Sequence, residues 1–115
     1  MQPTSLLIHP DETITARTLT TEELAHPSTV LGCETADVMY LEAGAALWVD
    51  ENYLDRDREE FNAGATFLSR EHGFQVLSLR GPALLCAIND DGSIDNLSAD
   101  AATALQAALH RLLTT

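Results

Sequence analysis

Apolar residues fall in short runs along the chain, and several of these runs alternate with polar residues at a period of two. Such alternation is typical of β-strands, whereas a period near 3.6 indicates a helix. Ser5–His9 is a short apolar run that ends at a proline-led turn, and Thr13–Arg17 alternates apolar with polar positions. These two segments predict a β-hairpin or a bent pair of strands.

The middle of the chain contains four further strand candidates. Thr35–Leu41 and Ala45–Asp50 are separated by the short connection Glu42–Gly44, which is typical of a hairpin. Gln75–Leu79 and Ala83–Asn89 form a second predicted pair. Because Ala83–Asn89 contains apolar residues without alternation, we expect it to be a central strand that is covered on both faces.

Three helical segments separate and follow these strand pairs. The first begins at Thr20 with a capping-box pattern and is soon interrupted by a proline, so it is expected to be a short connector that stops at Gly32. The second covers Phe61–His72, where small and apolar residues recur at helical spacing and Asn62 is the expected N-cap. The third covers Ala99–Leu113, has an apolar stripe along one side and is expected to be capped by Ser98.

The predicted order of elements is therefore ββαββαββα. Alternating groups of strands and helices of this kind predict an α+β fold, with a mostly antiparallel sheet and helices packed on one face. No linker or internal repeat divides the 115 residues, so one domain covering residues 1–115 is expected.

The charge of the chain is strongly unbalanced. Eighteen acidic residues stand against six arginines and no lysine, which gives a net charge of -12. A surface of this sign repels phosphate groups, so direct nucleic-acid binding is disfavoured and a protein partner with a basic surface is expected. No apolar run is long enough to span a membrane, and the first 13 residues do not look like a signal peptide, so we expect a cytoplasmic protein.

Residues that catalysis or metal binding would require are scattered. Cys33 and Cys86 are far apart and belong to no C-x-x-C motif, so buried and reduced thiols are expected. Residues 50–61 begin like a calcium loop, but Leu54 stands at the third ligand position, Asp55 replaces glycine at the sixth residue and Phe61 replaces glutamate at the twelfth. No glycine-rich nucleotide motif occurs. The sequence therefore predicts no catalytic residue, no metal and no cofactor, and it favours a role other than catalysis.

Four short motifs carry a resemblance to a known family. They are the Pro-Asp turn at residues 9–11, the Gly-Cys-Glu at 32–34, the Leu-Trp-Val-Asp-Glu at 47–51 and the Asn-Ala-Gly-Ala-Thr at 62–66. In this order the chain resembles an uncharacterised family, a domain of unknown function found in bacteria and tailed phages. The resemblance extends over about residues 5–113 and implies an accessory role in a mobile element, without an established activity.

The chain departs from the pattern of that family in one loop. Tyr53 stands where the family usually has glycine, and the acidic insert Asp55–Glu60 is longer. This charge-dense loop is the predicted surface of a small acidic interaction protein, and a mimic of nucleic-acid charge is the sharper form of the same hypothesis. The residues predicted to bind a basic partner are Asp50, Glu51, Asp55, Asp57, Glu59 and Glu60.

Two alternatives to this function stay open from the sequence. The first is a module that binds a small ligand or catalyses a reaction near the junction between the loop and the second helix. The residues predicted for it are Trp48, Tyr53, Asn62 and Thr66. The second alternative is a homodimer built on an exposed edge or face of the sheet.

Overall fold

The computed structural model describes residues 2–51, 60–75 and 78–114. The strands are β1 (Ser5–Ile8), β2 (Ile14–Arg17), β3 (Ala36–Leu41), β4 (Ala45–Asp50), β5 (Ala83–Ile88) and β6 (Ile94–Asp95). The helices are α1 (Thr21–Ala25), α2 (Pro27–Leu31), α3 (Ala63–Glu71) and α4 (Ala99–Leu113), and a short 3-10 helix (Glu42–Gly44) joins β3 to β4.

The strands form one antiparallel sheet, which confirms the predicted α+β class. Its order is β2-β1-β5-β4-β3, and β6 pairs with the end of β5. The central strand β5 is the predicted run of apolar residues without alternation, and its first four residues are buried. A strand with no polar side has to be covered on both faces, which explains its central position.

The two faces of the sheet are covered by different helices. On one face, side chains of α3 and α4 such as Leu68 and Leu109 pack against strand residues such as Leu6, Leu47 and Leu85. On the other face, residues from α1, α2 and the loops around them cover a smaller core. The buried members of that core are Leu19, Leu31, Leu84 and Cys86. The sequence pattern predicted helices on one face, and the short helices α1 and α2 are the ones that lie on the other.

The second strand pair differs from the expectation. Gln75, Ser78 and Leu79 belong to no strand, residues 76 and 77 lie outside the described residues, and β5 pairs with β6 instead. The reason lies in the backbone of Leu79. Its amide donates to the Thr66 hydroxyl at 2.9 Å and its carbonyl accepts from the Asn62 amide at 2.8 Å. Both backbone groups of Leu79 are therefore bonded to α3 or its N-cap and do not pair with a neighbouring strand.

The predicted helix ends are confirmed. The Thr20 hydroxyl accepts from the Glu23 amide while the Glu23 carboxylate accepts from the Thr20 amide, which completes the capping box. Ser98 caps α4 through a bond from the Ala101 amide. Gly32 ends α2 with a φ of 70°, a left-handed conformation that glycine adopts without steric cost. In the described ranges, no helix has the length and apolar character that crossing a membrane would require.

The two cysteines differ in burial. Cys86 in β5 is fully buried, whereas Cys33 is partly exposed and directs its thiol to the Thr35 carbonyl at 3.5 Å. Burial raises the pKa of the Cys86 thiol to about 11, and a hydrogen bond with Ser5 opposes this only in part. Because the thiolate is the reactive form, Cys86 is expected to be unreactive near neutral pH.

We expect a thiol reagent at about pH 8 to modify Cys33 quickly and Cys86 on the order of 100-fold more slowly, since both burial and a raised pKa protect Cys86. Counting modified thiols over time by mass spectrometry measures both rates, and C33S and C86A variants assign them. Unfolding in urea should make the two rates similar. Equal rates in the folded protein would contradict the assignment.

Candidate functional site

Several loops meet at one end of the sheet, which we call the acidic end. Here β1 and β4 finish, and β2, β3 and β5 begin. The strand register requires this arrangement, because Ile8 lies opposite both Ile14 and Ala83 while Ala36 lies opposite Asp50. The turns that follow or precede these residues therefore lie at the same end of the sheet, where neighbouring strands are about 4.8 Å apart.

The acidic end also includes the residues just before α3. The Gly81 amide, two residues before β5, donates to the Glu60 carbonyl at 3.0 Å and so holds Glu60 at this end. Arg80 is the arginine that the described ranges place here, and it takes part in an interaction of its own. The acidic residues that are exposed at this end are Asp11, Glu12, Glu34, Glu51 and Glu60.

These carboxylates come from separate loops. Asp11 lies in the turn between β1 and β2, where its carboxylate accepts hydrogen bonds from the hydroxyl and the amide of Thr13. Those two bonds, the hydroxyl bond first, lower the pKa of Asp11. Its negative charge is therefore retained throughout the neutral range. Glu34 precedes β3, and Glu51 follows β4.

The residues predicted to bind a partner divide into three groups. Glu51 and Glu60 are exposed, so their carboxylates are available to another molecule. Asp50 is only 4% exposed and has an interaction within the protein, so it does not present a carboxylate at the surface. Asp55, Asp57 and Glu59 lie outside the described residues. Sequence reasoning missed Asp11, Glu12 and Glu34, which the pairing of the strands brings to the same end of the sheet as Glu51.

Asn62 is fully buried and all its side-chain groups are used within the protein. Its Oδ1 accepts from the Ala65 amide at 3.0 Å, which is the predicted N-cap of α3. Its Nδ2 donates to the carbonyls of Ile8 at 3.0 Å and Gly81 at 2.8 Å. The residue thus joins the start of α3 to β1 and to the chain before β5.

Thr66 and Trp48, two further residues of the predicted ligand site, lie on opposite sides of the sheet. Thr66 is fully buried, and its hydroxyl is engaged by the Leu79 amide. Trp48 lies on the opposite face of the sheet, next to the small core under α1 and α2. Successive strand residues face opposite ways, so Leu47 and Val49 face α3 and Trp48 cannot. The structure therefore separates Trp48 from Asn62 and Thr66, and Tyr53 lies outside the described residues.

Two concave regions of the described residues lie away from Asn62 and Thr66. One, of about 430 Å³, is lined mainly by small and apolar residues between the 3-10 helix, β5 and α4. The other, of about 520 Å³, is bordered by α1, Trp48 and the β5–β6 turn. The Trp48 Nε1 is buried without a hydrogen-bond partner among the described residues. A buried donor of this kind destabilises the fold by about 1–3 kcal/mol relative to a paired one.

Side chains that could bind a metal ion are dispersed over the described residues. Among residues 2–51, 60–75 and 78–114, no group of three or more His, Cys, Asp and Glu side chains is arranged to hold a metal ion. The segment around Asp91 forms a turn between β5 and β6. The Asp91 carboxylate accepts from the hydroxyl and the amide of Ser93, and these bonds lower its pKa.

Comparisons with other proteins give one match. A family model described as a domain of unknown function (DUF3846) matches residues 1–110. No curated protein matches the chain, and no solved structure does so either. The matched range includes all the acidic residues of the acidic end.

Proposed function

We propose that this protein, which belongs to the DUF3846 family of domains of unknown function, is a protein-interaction module whose acidic end binds a partner with a basic surface. The match to residues 1–110 confirms the predicted resemblance to a domain of unknown function. An accessory role in a bacterial or phage mobile element, and a place in the cytoplasm, are parts of this proposal.

The observation that carries the proposal is the exposure of acidic side chains from three separate loops at one end of the sheet. Asp11 and Glu12, Glu34, and Glu51 with Glu60 are exposed there, with Arg80 as the described arginine among them. Like charges on one surface repel one another, and a cationic partner relieves that repulsion. Such a surface steers a basic partner during the encounter and loses strength as salt screens the charges.

The charge-mimic form of the proposal makes a stronger demand on geometry. It needs carboxylates in rows that match the spacing of phosphates, and the segment with Asp55, Asp57 and Glu59 would have to supply several of them. Glu51 and Glu60 flank that segment on the acidic end. The mimic therefore stays the sharper hypothesis, with a nucleic-acid-binding protein as the partner class.

Two charge-matched variants test the proposal. The first changes the acidic end by E34Q, E51Q and E60Q, and the second changes exposed acids elsewhere by E22Q, D90N and D100N. Both lose three negative charges, so a general ion-exchange effect would be the same for each. We expect the affinity for a partner captured from host lysate to fall about tenfold in the first variant and little in the second.

The measurement compares proteins captured at about 0.05 M and about 0.5 M salt, followed by titration of each purified candidate. A partner that is lost at high salt and lost by the acidic-end variant supports the proposal. If the two variants weaken every partner equally, the acidic end has no specific role. Circular dichroism of both variants shows whether the fold is retained.

A further inference from the structure

β3 forms one border of the sheet, and no described residue pairs with its outer edge. The Glu51 amide donates to the Thr35 carbonyl at 3.0 Å, so these two opposite residues form a hydrogen-bonded pair. Opposite residues in an antiparallel ladder alternate between hydrogen-bonded and non-hydrogen-bonded pairs. Ala36, Val38 and Tyr40 therefore direct their backbone N–H and C=O groups outward, away from β4.

In the middle of this edge, the outward amide of Val38 is already bonded to a neighbouring side chain. The Asp37 Oδ1 accepts from the Val38 amide at 2.9 Å, so a carboxylate occupies the outward donor of Val38. Unpaired strand edges tend to associate with other chains, and charged side chains at the edge oppose this. A cationic side chain that binds the Asp37 carboxylate would release the Val38 amide for pairing with a new strand.

The same edge has an apolar side chain and further negative charges. Tyr40 is 59% exposed, which makes it the more exposed of the two large apolar side chains at the surface of the described residues. Glu34 lies before β3 and Glu42 lies after it, and both are exposed. An incoming strand would therefore meet a donor–acceptor row, an aromatic surface and carboxylates at both ends of the row.

The negative charge along β3 favours pairing with a basic segment of another protein over pairing with a second copy of this chain. Two copies of this chain that paired through β3 would place Glu34, Asp37 and Glu42 of one copy near the same residues of the other. Like charges across neighbouring strands are destabilising, and each chain carries a net charge of -12. A segment with arginine or lysine side chains would instead neutralise these carboxylates.

We infer that the outer edge of β3 accepts an extended, basic segment of the partner protein as an additional strand. The segment pairs with Ala36, Val38 and Tyr40, one of its cations binds the Asp37 carboxylate, and one of its apolar residues packs against Tyr40. The basic character of the partner rests on the proposed function. The position and the pairing mode rest on the register of β3.

The direct test uses a short synthetic peptide of alternating arginine and valine, added to the ¹⁵N-labelled protein. Amide hydrogen exchange is then followed by NMR. We expect the amides of Ala36, Val38 and Tyr40 to gain on the order of tenfold protection, while those of Asp37 and Met39, which already bond to β4, change little. The same peptide with glutamate in place of arginine should leave all of these rates unchanged.

Variants of the edge make the test specific to backbone pairing. V38P removes the outward amide without removing a bond of the β3–β4 ladder, and proline is tolerated at such edge positions. V38A shortens the same side chain and keeps the amide, so it is the matched control. We expect V38P to bind the peptide at least about tenfold more weakly than V38A. A peptide methylated on alternate backbone nitrogens makes the same comparison with the unaltered protein if V38P does not fold.

Each outcome has a defined meaning. Absence of binding, binding that protects amides elsewhere, or equal affinity of V38P and V38A would overturn the inference about β3. So would a dimer in sedimentation whose β3 amides are already protected without peptide. If a natural partner is lost by the acidic-end variant and retained by V38P, the proposed function stands and the pairing mode fails. If that partner is retained by the acidic-end variant, the proposed function fails separately.

Discussion

Replacing Asn62 with alanine is expected to lower the free energy of unfolding by about 3 kcal/mol. The change removes three hydrogen bonds from a fully buried side chain, namely the cap of α3 and the bonds to the carbonyls of Ile8 and Gly81. Each intramolecular hydrogen bond contributes roughly 0.5–1.5 kcal/mol net, and water cannot replace the lost donor at a site with no solvent access.

Urea denaturation followed by circular dichroism measures this change. The S98A variant is the control, because Ser98 caps α4 with one hydrogen bond at an exposed position. It should cost about 1 kcal/mol, the usual value for an N-cap. If N62A and S98A had the same effect, the bonds from Asn62 to Ile8 and Gly81 would contribute nothing.

The N62D variant adds a pH dependence to the same position. The new side chain keeps an oxygen for the Ala65 amide, but when ionised it has no donor for the two carbonyls. Its pKa in the folded protein is therefore expected to be raised above the ordinary value of about 3.9. Relative to the wild type, the variant should be most stable below that ordinary value and should lose stability as the pH rises through the raised pKa. A difference in unfolding free energy that moves in favour of the variant over this range would contradict the hydrogen-bond assignment.

Replacing Leu85 with alanine is expected to lower the free energy of unfolding by about 2–5 kcal/mol, the range found for buried leucines. Leu85 is fully buried in the core on the α3 and α4 face and lies opposite Leu6 on one side and Leu47 on the other. All three side chains are completely buried. Because strands on both sides hold the backbone, little collapse into the cavity is expected.

Leu84 provides the comparison, because it lies on the same strand and faces the smaller core under α1 and α2. Several side chains around it, including Leu24 and Trp48, are only partly buried and have more freedom to fill a cavity. L84A should therefore cost less than L85A when both are measured by urea denaturation with the same slope. The reverse order would show that the α1 and α2 face contributes more to stability than its burial indicates.

Local sequence patterns were sufficient for most of the elements. The capping box at Thr20, the caps at Asn62 and Ser98, and the end of α2 at Gly32 each depend on residues within four positions of one another. The unbroken apolar run Ala83–Ile88 likewise determines its own need for cover on both faces. These features can be predicted because the atoms that satisfy the backbone are neighbours along the chain.

The Gln75–Leu79 prediction failed for the opposite reason. Its apolar pattern suits a strand, but the backbone groups of Leu79 are taken by Thr66 and Asn62, which lie more than ten positions earlier. Likewise, an acidic residue at the end of an apolar run does not reveal whether it is exposed. Asp50 is buried and Glu51, its neighbour, is at the surface.

The sequence by itself determined the class of fold, the acidity of the chain and the identity of the helix caps, because these depend on hydrophobic periodicity, composition and short-range hydrogen bonds. Only the tertiary structure decided that Trp48 lies on the other face from Asn62 and that Glu34 comes beside Glu51. It also decided that β3 forms one border of the sheet among the residues that the structure describes. Those three relations depend on strand order and register, which are set by contacts between residues far apart in the chain.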